Sequence, residues 1–499
     1  MRAASLLLVS TVAAMPLALA AQAPRAADVQ LQFARLLMNE SRYRDAIDAY
    51  RRAVAMTTAD PTLASQAHAG LSLALLRTGD FSGARKEAEQ AQAGTPSSAA
   101  LESLYADTLW ASGLFDEAEQ AYDHAMGRDP ADARAHHGRA RAFTAHNKLD
   151  DAFIEAQEAL RLAPREGEFH HTLGVIYERQ RKYDEAAAAF SSYVNLLPNH
   201  DHSETGAWTK AEIRFLDAFH GRTPLDMGDV PADASWTLPV RIVGEKVIVR
   251  IRINGGRLTD FVLDTGAEQT VLTREVARSR GVVPITYMPS AGVGDIGLRG
   301  LQEARIDSMQ IGDLLIRNVP CLIKNPPLGG LPSREPESFS PLALGLSMRI
   351  DYARHQLVLA RQLANSKYDT ELPLRLYRLA TVRGTVNGQP ASFVVDTGGE
   401  VISISQSILG ALDLPGPLRR IPLRVYGTSG WDKDAFLLPN IDLQFSSIRF
   451  RGIPVVVLNL NAPSVLLGFD LGGIVGHKFL SRYRVSIDLN RGVLGLDQE

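Results

Sequence analysis

The sequence predicts two domains of opposite class, an all-α repeat solenoid followed by an all-β bilobal half. Three observations carry that expectation. Small residues recur at near-constant spacing up to about residue 200. One phrase ending in Asp-Thr-Gly occurs twice in the C-terminal half. A stretch rich in Pro and Gly separates the two regions. A chain of 499 residues has room for several domains, and its 45% hydrophobic content is ordinary for globular protein. The formal net charge of −3, with no visible basic patch, argues against a nucleic-acid partner or a basic membrane footprint.

Residues 1–23 have the form of a secretory signal: Arg2, a mostly apolar run from Leu6 to Leu19, and the small-x-small pattern Ala18-Leu19-Ala20. The apolar run is short for a membrane span, and Gln22 and Pro24 follow at once. The expected location is periplasmic or secreted, by bacterial export, with no membrane span after signal cleavage. Cys321 is the sole cysteine, so no disulfide framework is possible, and its apolar surroundings place it on a core strand.

From 28 to 200, alanine falls at Ala46, Ala84, Ala118, Ala152 and Ala186, spaced 38, 34, 34 and 34 residues apart. Tyr50, Ala88, Tyr122, Ala156 and Phe190 follow each by four residues, and Pro96, Pro130, Pro164 and Pro198 close four units. A 34-residue period with small residues where helices cross resembles the tetratricopeptide repeat. The unit with Leu173-Gly174, Tyr177, Ala186, Phe190 and Pro198 matches most fully. Five such helix pairs imply a solenoid whose groove binds a protein partner. His136-His137, His170-His171 and His200-Asp201-His202 suggest no metal site, because neighbours on a helix do not face one another. Residues 201–220 supply an amphipathic capping helix from Glu204 to Phe219. Residues 221–236, with Pro224, Pro231 and two glycines, read as a linker.

The strand-rich half divides into lobe one, 237–365, and lobe two, 366–499. Each carries the doubled phrase: Phe261-Val262-Leu263-Asp264-Thr265-Gly266-Ala267 and Phe393-Val394-Val395-Asp396-Thr397-Gly398-Gly399. A lone Asp-Thr-Gly would arise by accident in roughly one chain in ten of this length. Here the surroundings repeat as well. Strand-like runs Lys246–Ile253 and Leu379–Val386 lead into the hairpin turns Asn254-Gly255 and Asn387-Gly388, and helices are expected near 274–280 and 406–412. Two carboxylates about 3 Å apart cannot both ionise, so they share a proton. One can then act as base on a water while its protonated partner polarises a carbonyl.

On these residues the C-terminal half resembles the aspartic proteases, and Leu263–Leu272 is similar to the retropepsin active-site loop. The resemblance implies that Asp264 and Asp396 are the catalytic dyad, supported by Thr265, Gly266, Thr397 and Gly398. It implies flaps at Gly292, Gly294 and Asp295 in lobe one, and at Tyr426, Gly427 and Trp431 in lobe two, closing over a peptide or protein substrate. Gly292–Gly297 also fits a dinucleotide fingerprint, but strand-like runs rather than a helix follow it. The family closes each lobe with two apolar residues and a glycine cradling the catalytic loop, expected here at Ala343-Leu344-Gly345 and Ile474-Val475-Gly476. Lobe one lacks the helix-length insert that lobe two has between Gly476 and Asp488, and carries instead a proline-rich loop, 325–341. Leu346 and His477 follow the closing glycines where the family usually has Arg, and Glu268 and Glu400 stand where it usually has Asp. The implied activity is that of an aspartic endopeptidase using a water between two carboxylates, without cofactor or metal, whose repeats recruit a substrate or partner. A shared proton implies a bell-shaped pH profile on the acid side of neutral. The alternative is a catalytically silent peptide-binding scaffold working through the repeats.

Overall fold

The computed structural model describes residues 26–498 except 58–59, 96–97, 199–200, 202, 294–297, 325–336, 365–366, 415–419 and 428–429. The expected signal at 1–23 and the flap positions Gly294 and Asp295 therefore lie outside the described residues.

The helical half is a stack of antiparallel pairs: Ala26–Asn39 with Tyr43–Met56, Pro61–Thr78 with Phe81–Gly94, Ala99–Ala111 with Phe115–Arg128, Ala133–Ala145 with Leu149–Leu162, and Gly167–Arg179 with Tyr183–Leu196. Local chemistry starts these helices. Asp60 accepts from the amides of Thr62 and Leu63, Ser98 from Leu101, and Asp132 from Arg134 and Ala135. All five repeat alanines are fully buried, because only a methyl fits where helices cross. Gly174 shows the same constraint at its limit, since a Cβ there would lie 2.5 Å from Cδ1 of Phe190. The helix Glu204–Asp217, capped by Ser203, covers the last pair with Trp208 and Phe215. The histidines serve packing. His137 Nε2 meets Thr172 Oγ1 at 2.8 Å, His170 Nε2 meets the Pro164 carbonyl at 3.0 Å, and His171 packs against Phe190, Tyr193 and Trp208.

The 221–236 stretch is pinned at its start. The buried Leu225 donates its amide to the Asn318 carbonyl, and Asp226 bridges Arg317. The strand Ser235–Pro239 then joins a sheet built from both lobes, in the order 235–239, 356–360, 347–351, 483–488, 493–498, 370–377.

Each lobe has the same plan. The strand Lys246–Ile253 turns at Asn254-Gly255 (φ 47° and 68°) into Leu258–Leu263, and Leu379–Val386 turns at Asn387-Gly388 (φ 48° and 82°) into Gln389–Val395. Positive φ at both central residues is what a tight hairpin with right-twisted strands demands, and Asn-Gly tolerates it. The second strand of each hairpin pairs in parallel with a short closing strand, Glu337–Phe339 in lobe one and Gly473–Val475 in lobe two. Arg274–Ser279 is the helix expected after the first phrase, whereas its counterpart, Gln406–Ala411, is a 3₁₀ helix of the same length. Cys321 is buried on the strand Leu314–Ile323.

One expectation is corrected. Ile474-Val475-Gly476 does close lobe two, where the Val475 carbonyl accepts from the Asp396 amide at 3.0 Å. In lobe one that role falls to Phe339, whose carbonyl accepts from the Asp264 amide at 2.9 Å, and Ala343-Leu344-Gly345 forms a turn beyond it. The tail of the 325–341 loop is thus a barrel strand. The short helix His477–Leu480 occupies lobe two's insert, with no equivalent described in lobe one.

Candidate active site

The two Asp-Thr-Gly loops meet face to face. Buried apolar strands deliver each Asp: Phe261, Val262 and Leu263 on one side, Phe393, Val394 and Val395 on the other. Parallel pairing buries both faces of such strands, so every residue of the run is apolar until the chain turns. At the turn the threonines lock the loops together. The Thr265 amide donates to Thr397 Oγ1 and the Thr397 amide to Thr265 Oγ1, both at 3.1 Å. Each hydroxyl then donates across the interface, Thr265 Oγ1 to the Val395 carbonyl at 2.6 Å and Thr397 Oγ1 to the Leu263 carbonyl at 2.8 Å. A hydroxyl accepts one bond and donates another through a single atom, which is what this lock requires.

The glycines let the carboxylates approach. A Cβ on Gly266 would stand 2.6 Å from Asp396 Cγ, and one on Gly398 would stand 2.6 Å from Asp264 Cγ. Gly266 donates its amide to Asp264 Oδ1 at 3.1 Å. Asp396 Oδ1 accepts from two amides, Gly398 at 2.8 Å and Gly399 at 2.9 Å. Burial first, and then the Asp396 carboxylate beside it, push Asp264 up to about 7, while the Lys246 and Lys324 ammonium groups pull the other way. The pair therefore retains a proton toward neutrality. Two amide donors on Asp396 against one on Asp264 favour placing the negative charge on Asp396.

The hairpins expected as flaps are present. Strands Pro284–Ala291 and Leu298–Ile311 pair with Ala291 opposite Leu298, so Gly292 stands at the base of the tip. No helix follows, which removes the context a dinucleotide fingerprint needs. In lobe two, Tyr426 pairs opposite Trp431, with ring centroids 5.4 Å apart. Gly427 abuts Val293, and a side chain at 427 would collide with the Val293 carbonyl. The two hairpins thus touch.

A cavity of about 850 Å³ opens onto Asp264 and Thr265. Its opposite wall is the solenoid: Trp110, His137, Arg141, Glu178 and Arg179, from the first helices of the last three pairs, line the same space. Trp110 stands edge-on to Tyr377 at 5.5 Å, and Arg179 donates to the Leu376 carbonyl at 2.7 Å. The repeat groove therefore faces the lobes of its own chain.

Several site features had no clear signal in the sequence. Lys246, the first residue of its strand, donates to the Gly398 carbonyl. Glu268 pairs with Arg378 at 2.8 Å. The position of Glu268 after the loop drew attention to it, but nothing local marked its partner 110 residues away.

Comparison with known families agrees with this division. A family model described as aspartyl protease matches residues 249–347, and one for the gag-polyprotein aspartyl protease matches 382–471. Tetratricopeptide-repeat models match 31–99, 75–142 and 155–201. Among solved structures, the chain is similar to a thermophilic TPR protein of Thermus thermophilus at 21% identity and a TM-score of 0.31, covering 35% of this chain and 93% of that one. It is similar to MamA of Desulfovibrio magneticus at 19% identity and 0.25, covering 35% and 97%. Human IFIT1 gives 17% identity and 0.33, covering 39% and 47%. No curated protein matches the chain. The chain carries two aspartyl-protease-type lobes, each with one Asp-Thr-Gly loop, behind a tetratricopeptide-repeat domain.

Proposed function

We propose that the protein is an aspartic endopeptidase in which Asp264 and Asp396 form the catalytic dyad of a single chain. The observation that carries this reading is the reciprocal threonine lock with glycine-permitted approach of the two carboxylates. In the proposed reaction Asp396, ionised, takes a proton from a water lying between the carboxyls. Asp264, protonated, donates a hydrogen bond to the scissile carbonyl as the water attacks. The tetrahedral intermediate collapses as a proton reaches the leaving amine, with no covalent enzyme intermediate. Gly292, Tyr426, Gly427 and Trp431, on the touching hairpins, belong to the substrate cleft in this reading. The repeat domain walls the cavity that reaches the dyad from the Asp264 side, whose lining includes neither Asp396 nor these four residues, so recruited substrate approaches from there. Residues 1–23 have the form of an export signal, which supports action in the periplasm or outside the cell.

The test is cleavage of a diverse peptide library, read by mass spectrometry from about pH 3 to 8, by the wild type and the Asp264→Asn and Asp396→Asn proteins. The expected result is cleavage that falls by a factor of roughly 10² or more in either variant. Wild-type activity should decline as pH rises through about 7, because Asp264 then loses the proton it must hold. Activity that survives in both variants, or that is level from acid to alkaline pH, would remove the dyad mechanism. A second reading, a peptide-binding scaffold without turnover, is favoured by the solenoid packed across the cleft. Absence of cleavage from all three folded proteins would select it.

A further inference from the structure

The chamber holds a second cluster of carboxylates, which the dyad chemistry does not use. Glu178 comes from the helix Gly167–Arg179, Glu212 from Glu204–Asp217, and Glu268 from the loop four residues after Asp264; all three line the cavity. Glu303 lies behind them, on the strand Leu298–Ile311. The cations beside them are already engaged: Arg179 donates to the Thr144 and Leu376 carbonyls at 2.6 and 2.7 Å. Arg378 pairs with Glu268, donates to the Leu466 carbonyl at 2.9 Å, and stacks over Trp208 at 5.2 Å.

Glu212 is 1% exposed, and neither of its carboxylate oxygens has a hydrogen-bond partner. Leaving a buried polar group without a partner is costly, and native proteins rarely do so without a reason. Glu303, buried behind the wall, has the Gln269 side chain as its polar neighbour. Trp208 Nε1 and Gln269 Oε1, on the same cavity wall, are a donor and an acceptor likewise without partners. A wall with spare acceptor capacity, whose three acids face two arginines already committed elsewhere, can receive a cation, which displaces the protons that burial holds there.

We infer that the Glu178–Glu212–Glu268 wall is a specificity pocket for a positively charged group of a peptide, the side chain of lysine or arginine. The inference rests on the proposed function only in that a peptide occupies the chamber. The basic side chain reaches Glu212 while the peptide backbone meets Trp208 and Gln269, and the continuity of the cavity brings the neighbouring peptide bonds to Asp264. A chamber closed by the solenoid takes a short or unfolded segment rather than a folded surface.

The experiment uses the full chain with N-acetylated, fluorescein-labelled peptides of alanine and glycine carrying a single lysine, arginine, norleucine or glutamate. Binding is read by anisotropy at neutral pH on the Asp396→Asn protein, and cleavage on the wild type. The expected result is that lysine and arginine peptides bind roughly tenfold or more tighter than the norleucine peptide. Glu212→Gln, combined with Glu178→Gln, should bring that ratio close to one. A norleucine peptide with a free amino terminus identifies whether an α-amine substitutes for the side chain, and tighter binding of it than of the lysine peptide overturns the side-chain assignment. Equal binding of lysine and norleucine peptides, no binding of any peptide, or a lysine preference that survives both substitutions also overturns the inference. The comparison among peptides needs no variant of the pocket, so misfolding of the glutamine variants cannot mask it. Preferential binding without wild-type cleavage would sustain the pocket and sink the protease reading, while cleavage without charge preference would do the reverse.

Discussion

At the scale of single residues, Thr265 and Thr397 make the clearest structural commitment. Each is buried and holds the other lobe's loop by two hydrogen bonds, one accepted and one donated. Thr265→Ala would orphan the Thr397 amide and the Val395 carbonyl, at about 1–3 kcal/mol for each buried group. Thr265→Ser keeps the hydroxyl and should retain most of both stability and activity. Denaturation followed with each variant tests this, and an alanine variant as stable as wild type would show that the lock is decorative. Gly266→Ala should lose activity for a different reason. Its methyl lands on the Asp396 carboxylate and forces the dyad apart, whatever the variant's stability. The meeting of the two Asp-Thr-Gly loops was legible in the sequence because the signal is local and appears twice, each copy preceded by its own Asn-Gly hairpin.

At the scale of elements, what was legible ends where pairing becomes distant. The closing strand of lobe one was missed because its place depends on a parallel ladder between Leu263 and Phe339 across a long loop. Ala343-Leu344-Gly345 matched the wording of Ile474-Val475-Gly476 but not that register. The acidic wall was also invisible, since its members come from two helices, a loop and a strand, and only folding brings them together. Burial and mutual repulsion raise Glu178 to about 7 and Glu303 to about 8, and raise Glu212 as well, despite Arg378 and, for Glu178, Arg179. The sign of the linkage follows. These groups bind protons more tightly folded than unfolded, so their contribution is fully present below the ordinary carboxylate range and is lost as pH rises through about 7 to 8. The junction of the helix Glu204–Asp217 with the first flap hairpin should therefore be better protected at pH 5 than at pH 8.5. Hydrogen exchange, corrected for the intrinsic pH dependence of the amides, reads this directly. Glu212→Gln should flatten the difference, and protection that rises with pH would contradict the burial of these acids.

At the scale of the whole molecule, the solenoid and the lobes share one apolar cluster. Trp110, Phe115 and Tyr122 pack with Val456, Leu458 and Phe469, and the Phe115 and Phe469 rings stand 5.1 Å apart. Polar contacts bracket that cluster. Arg375 pairs with Asp116 at 2.5 Å and Glu119 at 3.2 Å, Arg383 reaches Asp116 and Glu117, and Ser392 Oγ donates to the Gly113 carbonyl at 2.6 Å. Nothing in the sequence announced this contact, because Arg375 and Asp116 are 259 residues apart and each reads as an ordinary surface charge. The consequence is that the 221–236 connection is not what holds the halves together. A specific protease site inserted between the exposed Gly228 and Asp229 should be cut without separating the solenoid from the lobes on gel filtration. They should stay together in 1 M salt, where the Debye length shrinks to about 3 Å and exposed ion pairs lose most of their attraction, since the apolar cluster is indifferent to that screening. Separation at low salt would mean that the solenoid is only tethered over the cleft. Separation at high salt alone would assign the closure of the chamber to Arg375 and Arg383 rather than to Trp110 and Phe115.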